Sequence, residues 1–398
     1  MSEKAAAATP VIKKAKVKNK VGFDRMILLV ALALMGISVV LISSASVMES
    51  LTRFNDPMYF LKRQLVYVAA ALFLGLVCAA IPTGVWKKYN MTCMFLTIVL
   101  LILVLIIGRE VNEAKRWIHL GFINIQPAEI LKLCWILYFS SYTCRKINEV
   151  QSSLAGFIKP MIFIAVISLM LLAQPDFGSL VVVTCITFGI LFVAGAGLLK
   201  YIATLTIVGV IGGILVMIQP YRMRRILSFL DPWEDQFGAG YQLTQSLMAF
   251  GRGGLTGEGL GNSIQKLGYL PEAHTDFVTA ILGEEFGFIG MSVVILLEFI
   301  LVYKAIVISF NILRKAPLYQ GYVAFGIGVW FCLQTVINIG AASGALPTKG
   351  LTLPLVSYGG SSLFVSIAAI AILLRIDFEW RNGSLKADLK ESLQGKAS

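Results

Sequence analysis

The residue in this sequence best placed to do chemistry is Asp276, which ends the motif Tyr269-Leu-Pro-Glu-Ala-His-Thr-Asp276 and precedes a long apolar segment. The motif closes a polar stretch (about 220–275), so Asp276 stands where a loop meets hydrocarbon. Carboxylates at membrane depth are costly and normally face a polar interior or a functional site. A helix continuing from Asp276 would place Glu284 on the same face. Because Thr and Asp are also preferred N-cap residues, capping and acid–base chemistry both remain open for Asp276.

Basic residues occur in several of the loops that the hydropathy pattern places on the same side of the membrane as Asp276. Arg63 lies in the first of these loops, Arg116 in the second, Arg222 in the long polar stretch and Lys349 in the last. Any one of them alone is explained as a solvated loop charge. Together, cations from several loops facing one carboxylate suit an anionic substrate at the outer leaflet.

The second of these loops leads into an apolar segment that carries Glu129 and Lys132. Pro127 suits the first turn of a helix, where its missing N–H costs nothing. Glu129 and Lys132 are three residues apart and can pair, which is how an intramembrane lysine is usually tolerated. A structural ion pair is the favoured interpretation, and a role in the site is the alternative. The turn Gln174-Pro-Asp-Phe-Gly178 is likewise interpreted as structural, with Asp176 capping the next helix.

The long polar stretch contains an amphipathic segment and a glycine-rich run. The pattern over 241–250 predicts a helix lying in the membrane interface, with Leu243, Leu247 and Phe250 on one side. The glycine-rich run 251–261 lacks the Gly-Lys-Ser/Thr and the preceding strand of a nucleotide-binding loop. We therefore expect it to be flexible backbone that lines a cavity.

Composition identifies the class of protein that must hold these residues. Of 398 residues, 57% are hydrophobic and 14% charged, and mean hydropathy is +0.80. Soluble domains carry roughly 25% charged residues, so a polytopic membrane protein is predicted. The net charge of +12 includes a lysine cluster before Asp24 that suits membrane orientation and anionic lipid rather than nucleic acid. The six cysteines lie within or beside apolar segments and there are two histidines, so neither a disulfide framework nor a histidine metal site is expected.

The hydropathy pattern predicts an all-α polytopic protein with about ten transmembrane helices and one long extracytoplasmic loop between spans seven and eight. The first apolar segment is long enough to span, so no cleaved signal is expected. The excess of Lys and Arg beside the termini predicts that both are cytoplasmic. The predicted organisation is a basic cytoplasmic tail (1–23), a ten-span membrane domain (24–380, with the long periplasmic loop at about 220–275) and a second cytoplasmic tail (381–398). The apolar segments fall at about 26–46, 64–82, 91–108, 126–143, 158–175, 177–197, 201–219, 276–303, 319–343 and 358–375.

Over roughly residues 24–380 the sequence resembles the SEDS family (shape, elongation, division, sporulation) of peptidoglycan polymerases. The resemblance rests on Lys-Arg-Trp-Ile with Gln-Pro-Ala-Glu, on Ala-Gln-Pro-Asp-Phe-Gly, on Leu-Pro-Glu-Ala-His-Thr-Asp-Phe, and on Leu-Pro-Thr-Lys-Gly with Ser-Tyr-Gly-Gly-Ser-Ser. The Asp231-Pro-Trp-Glu-Asp segment, Gln245-Ser-Leu-Met-Ala-Phe-Gly-Arg-Gly and the basic tail are most similar to the septal branch. Glu113-Ala-Lys is a departure, since the family often has small residues there.

The resemblance implies glycan-strand synthesis from lipid II, a disaccharide-pentapeptide on undecaprenyl pyrophosphate, during septal cell-wall synthesis. It also implies that Asp276 is the catalytic aspartate. As general base, Asp276 would take the proton of the acceptor 4-hydroxyl while that oxygen attacks the anomeric carbon, which inverts the configuration in one displacement. Cations would stabilise the departing pyrophosphate. The substrate-binding candidates are Lys349 and Arg222, then Lys132, Arg116 and Arg63, with Glu129, Trp117, His274, Ser357 and Ser361 from the family motifs.

The sequence shows no dedicated metal site, although a divalent cation (Mg²⁺ or Mn²⁺) could share the task of stabilising pyrophosphate. The partners implied by the resemblance are lipid II, a class B penicillin-binding transpeptidase of the septum and divisome regulatory proteins, at the bacterial inner membrane. Two other functions stay open. A lipid II flippase would explain buried charges such as Glu284 and Lys132, and a non-catalytic divisome scaffold would tolerate substitution of Asp276.

Overall fold

The protein is a bundle of α-helices with a small antiparallel sheet at one end. The computed structural model describes residues 22–111, 114–119, 121, 124–218, 220–316, 318–347 and 350–385. Lys349 lies outside the described residues, as does the side chain of Arg222. In chain order the elements are α1 (Arg25–Ala45), α2 (Val47–Phe54), α3 (Tyr59–Ala80), α4 (Thr83–Ile107), β1 (Arg109–Val111), β2 (Ala114–His119), β3 (Asn124–Ile125), α5 (Pro127–Arg145), α6 (Ile147–Ser152), α7 (Leu154–Ala173), α8 (Phe177–Val193), α9 (Leu198–Ile218), α10 (Pro220–Leu230), α11 (Tyr241–Gly253), a 3-10 turn (Gln265–Leu267), α12 (Val278–Leu313), α13 (Tyr319–Ala342) and α14 (Gly360–Arg381).

The helices confirm the predicted class of polytopic, all-helical membrane protein. Seven helices of the described chain are long and apolar enough to cross a membrane, namely α1, α3, α4, α9, α12, α13 and α14. Apolar parts of α7 and α8 are shorter, and α5 carries the charged residues predicted for it. A helix lies over each of the ten predicted apolar segments, but the number of crossings remains a prediction.

The core lies where α12 and α13 pack together and where α5, α8 and α14 close around α13. Several polar groups inside this core bond to one another, which replaces hydrogen bonds that the membrane interior cannot supply. The Trp135 Nε1 atom donates to Thr187 Oγ1 at 2.8 Å and so links α5 to α8. Ser38 of α1 donates to the Val356 carbonyl at 2.6 Å, which fixes the segment between α13 and α14.

Local signals at the ends of α5 and α8 are confirmed. Pro127 occupies the first turn of α5. The Asp176 carboxylate caps α8, because it accepts from the Ser179 N–H at 3.1 Å and from its hydroxyl at 2.7 Å. Both features depend on a few neighbouring residues, which is why the sequence reveals them.

The structure decides three points about the long polar stretch. Of the two roles left open for Asp276, capping of α12 is excluded, because the N-cap residue is Phe277 and no side chain caps this end. The predicted helix over 241–250 is confirmed as α11, which buries Leu243 and packs against α12, and its position in the membrane interface remains a prediction. The glycine-rich run is bonded into a break in α12, and its last residues, Leu260 and Gly261, border a cavity.

Candidate active site

Asp276 lies two residues before α12 begins, beside the segment that leads into α14. Its backbone carbonyl accepts a hydrogen bond from Asn338 Nδ2 at 2.9 Å, and the same amide donates to the Leu351 carbonyl at 2.6 Å. The carboxylate faces Gly350, where an added Cβ would meet Asp276 Oδ2 at 3.1 Å. Asn338 therefore holds the chain at Asp276 against the chain at Leu351, which are the two segments that form the site.

Arg116 reaches the same place from β2. Because side chains alternate along a strand, Arg116 shares the inward face with the buried Ile118, while Trp117 points to the opposite face. The guanidinium donates to the Gln174 carbonyl at 3.2 Å and to the Pro175 carbonyl. A Cβ at Gly350 would lie 3.7 Å from Arg116 Nη1, so the arginine and the Asp276 carboxylate border the same glycine.

The environment of Asp276 favours a carboxyl group that exchanges a proton near neutral pH. Burial raises the pKa of Asp276 to about 7, and the negative charges of Glu272 and Asp176 act in the same direction. Arg116 and Arg225 oppose this shift and lower the pKa. The side chain is half-buried, so it keeps an opening to the surface. Such a group is available to accept a proton from a bound molecule.

Glu129 and Lys132 form the predicted ion pair below this site. Lys132 Nζ lies 2.8 Å from Glu129 Oε1 and 2.8 Å from Gln334 Oε1, and the ammonium is fully buried. Gln334 Nε2 in turn donates to the Thr352 carbonyl at 2.8 Å. The pair thus supports the segment that carries Gly350, and its part in binding substrate remains a prediction.

His274 belongs to the packing around the motif that ends at Asp276. Its Nδ1 atom lies 3.1 Å from Glu49 Oε2 in α2, and its ring packs on Phe60 and Tyr358. This contact with His274 holds the pKa of Glu49 below its usual value. The His274 carbonyl accepts from the Tyr358 N–H at 2.9 Å. The imidazole therefore anchors the motif to α2, to α3 and to the segment that leads into α14.

The other candidates occupy different positions around the same end of the bundle. Arg63 lies between the rings of Tyr59 and Tyr67, with its guanidinium carbon 5.6 and 5.5 Å from the two centroids. Ser357 accepts from the Leu353 N–H at 2.8 Å and so stabilises a turn. Ser361 donates to the Asn124 carbonyl at 2.6 Å, which ties α14 to β3.

Local sequence patterns did not single out Glu272 and Arg225, although the charges of both side chains act on the pKa of Asp276. Arg225 lies three residues after Arg222, the candidate from this stretch, and nothing in the local pattern separates neighbouring arginines. Glu272 is in the motif itself, where its backbone has φ 56° and its carbonyl accepts from Thr275 and Phe277. The sequence signal for Glu272 is its position four residues before Asp276 in the same motif. Asn338 gives no local signal, because its partners lie far away in the sequence.

Among the described residues no group of three His, Cys, Asp or Glu side chains could hold a metal ion. The involvement of a divalent cation therefore remains a prediction.

Comparison with known proteins identifies the family. The model of the cell cycle proteins FtsW, RodA and SpoVE matches residues 24–382. A probable peptidoglycan glycosyltransferase FtsW of Tolumonas auensis is 52% identical over 360 residues, which cover 90% of this chain and 93% of that protein. The fold is similar to a chain of a peptidoglycan synthase complex that coordinates polymerization and crosslinking (TM-score 0.74, 26% identity, 90% of this chain and 98% of that one). It is also similar to the rod shape determining protein RodA of Thermus thermophilus (TM-score 0.66, 25% identity, 91% and 98% covered). The chain therefore belongs to the FtsW, RodA and SpoVE family of cell cycle proteins, as its SEDS motifs predicted.

Proposed function

We infer that this protein is a peptidoglycan glycosyltransferase that polymerises lipid II into glycan strands during septal cell-wall synthesis, with Asp276 as its general base. The observation that carries the assignment of the base is the surroundings of Asp276. Its pKa of about 7 suits proton transfer, it is half-buried, and it borders the same glycine as Arg116. The names and the high identity of the relatives support the same activity.

In the proposed reaction, the acceptor 4-hydroxyl oxygen forms a bond to the anomeric carbon of the donor strand as the bond to undecaprenyl pyrophosphate breaks. Asp276 takes the hydroxyl proton, and the electron pair of the broken bond leaves on the pyrophosphate. Attack opposite to the leaving group inverts the anomeric configuration. Arg116 and Arg225 supply positive charge near Asp276, where negative charge develops on the leaving group.

Other cations would then hold the diphosphate before and after transfer. Lys349 and Arg222 remain the first choices by sequence, and Arg63 is presented by α3 between two tyrosine rings. Glu129, Lys132 and His274 support the loops that bear the site, and Trp117 lies on the outward face of β2.

The lipid part of the substrate requires an apolar surface that is continuous with the site. A cavity of about 440 Å³ lies between α3, α5 and α14 and is lined by Leu74, Leu133, Phe364 and Val365, with Ser361 at its border. This lining suits an isoprenoid chain, and the position of Ser361 beside β3 places the cavity next to the loop that carries Arg116.

The proposed setting is the division septum of the bacterial inner membrane, with both termini in the cytoplasm and Asp276 on the outer side. A class B penicillin-binding transpeptidase that cross-links the new strand is the proposed partner, and divisome regulatory proteins would control the pair. The fold similarity to a chain of a peptidoglycan synthase complex supports this partnership.

The decisive experiment is glycan-chain formation from labelled lipid II by purified protein with its transpeptidase, comparing the wild type with Asp276→Asn. A ladder from the wild type alone is expected. A ladder of equal rate from both proteins would refute the assignment of the base. Absence of a ladder from both, with folded protein and partner present, would refute polymerisation, and a lipid II translocation assay would then test the flippase.

A further inference from the structure

The helix that follows Asp276 is broken, and part of the long polar stretch fills the break. Gly287 has φ 63° and ψ −163° inside α12, so the helical hydrogen bonds stop there. The segment 254–259 replaces them: the Phe288 and Ile289 N–H groups donate to the Gly254 and Leu255 carbonyls at 2.9 and 3.1 Å. In the other direction, the N–H groups of residues 258 and 259 donate to the carbonyls of residues 284 and 285, each at 3.0 Å. Unpaired helix ends at membrane depth are thereby satisfied.

Two glycines make this insertion possible. Gly257 has φ 80°, and a Cβ there would lie 2.3 Å from the Glu285 carbonyl oxygen. A Cβ at Gly287 would lie 2.4 Å from the Gly257 nitrogen. Since neither backbone can give way without losing its hydrogen bonds, we expect any side chain at these positions to expel the segment from the break.

The buried carboxylate of Glu284 accepts hydrogen bonds from the chain on either side of the inserted segment. It accepts from Arg252 Nη1 at 2.8 Å, the Ile264 N–H at 2.9 Å, the Gln265 N–H at 3.2 Å and the Ser263 hydroxyl. The carboxylate is fully buried. All four donors belong to the long polar stretch, on both sides of the inserted segment. Because every donor points at an acceptor-only group, an amide in this place would direct its own N–H₂ toward one of them.

The next residue extends the attachment to α1. Glu285 Oε1 lies 2.7 Å from Lys266 Nζ and accepts from the Ser44 hydroxyl at 2.6 Å. Residues 263–266 are thus held to α12 immediately before the motif that ends at Asp276. The Leu270 N–H donates to the Gln265 carbonyl at 2.9 Å, so this attachment passes directly into the motif.

We propose that Glu284 is a positioning residue for Asp276: without touching the substrate, it locks the long polar stretch into the broken helix and so fixes the motif that presents the base. The inference rests on the proposed function of Asp276 as the base. This role explains why a glutamate is buried at this position although it takes no part in the transfer reaction itself. The flippase interpretation of Glu284 is not needed, because its charge is balanced by Arg252 and by three further hydrogen bonds.

The test compares Glu284→Gln with the wild type, each purified with its transpeptidase. The expected result is a fall in kcat of about a hundredfold with little change in KM, since misplacement of a reacting group by about 1 Å has this effect. The midpoint of the pH–rate profile should also move to lower pH, because burial is the main cause that raises the pKa of Asp276 and a loosened loop admits water. A merely structural role would leave that midpoint in place.

Limited trypsin digestion gives a readout that does not depend on catalysis. In Glu284→Gln, Arg252 loses its buried carboxylate partner and keeps only the longer, exposed contact with Glu258, so cleavage after Arg252 should become faster. Asp276→Asn should be inactive with the wild-type digestion pattern, so a failure of the base assignment (an active Asp276→Asn) is distinct from a failure of this inference. The matched control is Glu298→Gln, which removes another buried glutamate of α12 that accepts none of the bonds to the loop.

If Glu284→Gln does not fold, Arg252→Gln tests the same attachment from its half-exposed side and should lower kcat and move the pH midpoint to a smaller degree. Because this variant lacks the trypsin site at residue 252, its digestion is followed at Lys266, which is buried in the wild type and should be cleaved faster. Wild-type kcat, an unshifted pH midpoint or unchanged digestion in whichever of these variants folds would overturn the proposal. Restoration of turnover by Glu284→Asp to above the Glu284→Gln level would support it, because aspartate retains the charge that Arg252 requires.

Discussion

Polymerisation should depend on pH through the ionisation of Asp276. The base works only when it is deprotonated, and its folded pKa is raised to about 7. About 9% of the carboxyl groups are ionised at pH 6 and about 91% at pH 8. Because only the ionised form acts as the base, kcat/KM should fall about tenfold from pH 8 to pH 6. The sign follows from the direction of the shift: an aspartate with an ordinary pKa would stay ionised throughout and give a flat profile.

The assay is the initial rate of glycan-chain formation from labelled lipid II between pH 5.5 and 8.5, at subsaturating substrate. A β-lactam blocks the transpeptidase partner, so that its own pH dependence does not enter. Glu272→Gln serves as the matched variant, because it removes a negative charge that raises the pKa of Asp276 and should move the midpoint to lower pH. A flat profile between pH 6 and 8, or a rate that rises on acidification, would refute the role of Asp276 as the titrating base.

The other predictions concern single side chains. Asp276→Asn should abolish polymerisation without lowering Tm, because it removes a carboxylate whose charged form is disfavoured by burial; a lower Tm would instead indicate a structural role. Arg116→Lys should reduce turnover, because the guanidinium that donates to two carbonyls is lost. The midpoint of the pH–rate profile should move upward, because the positive charge no longer lies as close to Asp276, and an unchanged midpoint would contradict this. Lys132→Met should destabilise the protein by about 3–5 kcal/mol, measured by denaturation, because Glu129 would remain buried and unpaired, whereas the double variant with Glu129→Leu should recover part of the loss. Lys349→Ala should give weak turnover that persists at saturating lipid II, and full recovery with excess substrate would assign this lysine to binding alone.

Features that depend on residues close together in the chain could be predicted from the sequence. The apolar segments, the first turn of α5, the cap of α8 and the pairing of Glu129 with Lys132 each arise from a pattern within a few residues. The family motifs added the expected role of Asp276. These predictions succeed because helix ends, membrane length and three-residue spacing have the same physical meaning in any chain.

The surroundings of Asp276 were decided by tertiary structure. The local pattern left capping open, whereas in the folded chain the Asp276 carboxylate caps no helix and is half-buried beside Gly350. Burial raises its pKa, and Arg116 opposes that shift. The fold also decides which cations lie near this carboxylate. Arg116 and Arg225 come from β2 and α10, which are distant in the sequence and meet only in the folded chain.

The glycine-rich run shows the same division. Its sequence indicates freedom of the backbone but not the use of that freedom, since the groups it satisfies lie at Gly287 and beyond in α12. Glu284 likewise could be recognised as a costly buried charge, but its four donors are contributed by the far side of a loop. The sequence by itself determined the membrane class, the helices and the family; the tertiary structure decided the ionisation of the base and what holds it, because burial and charge depend on residues that meet only in the folded chain.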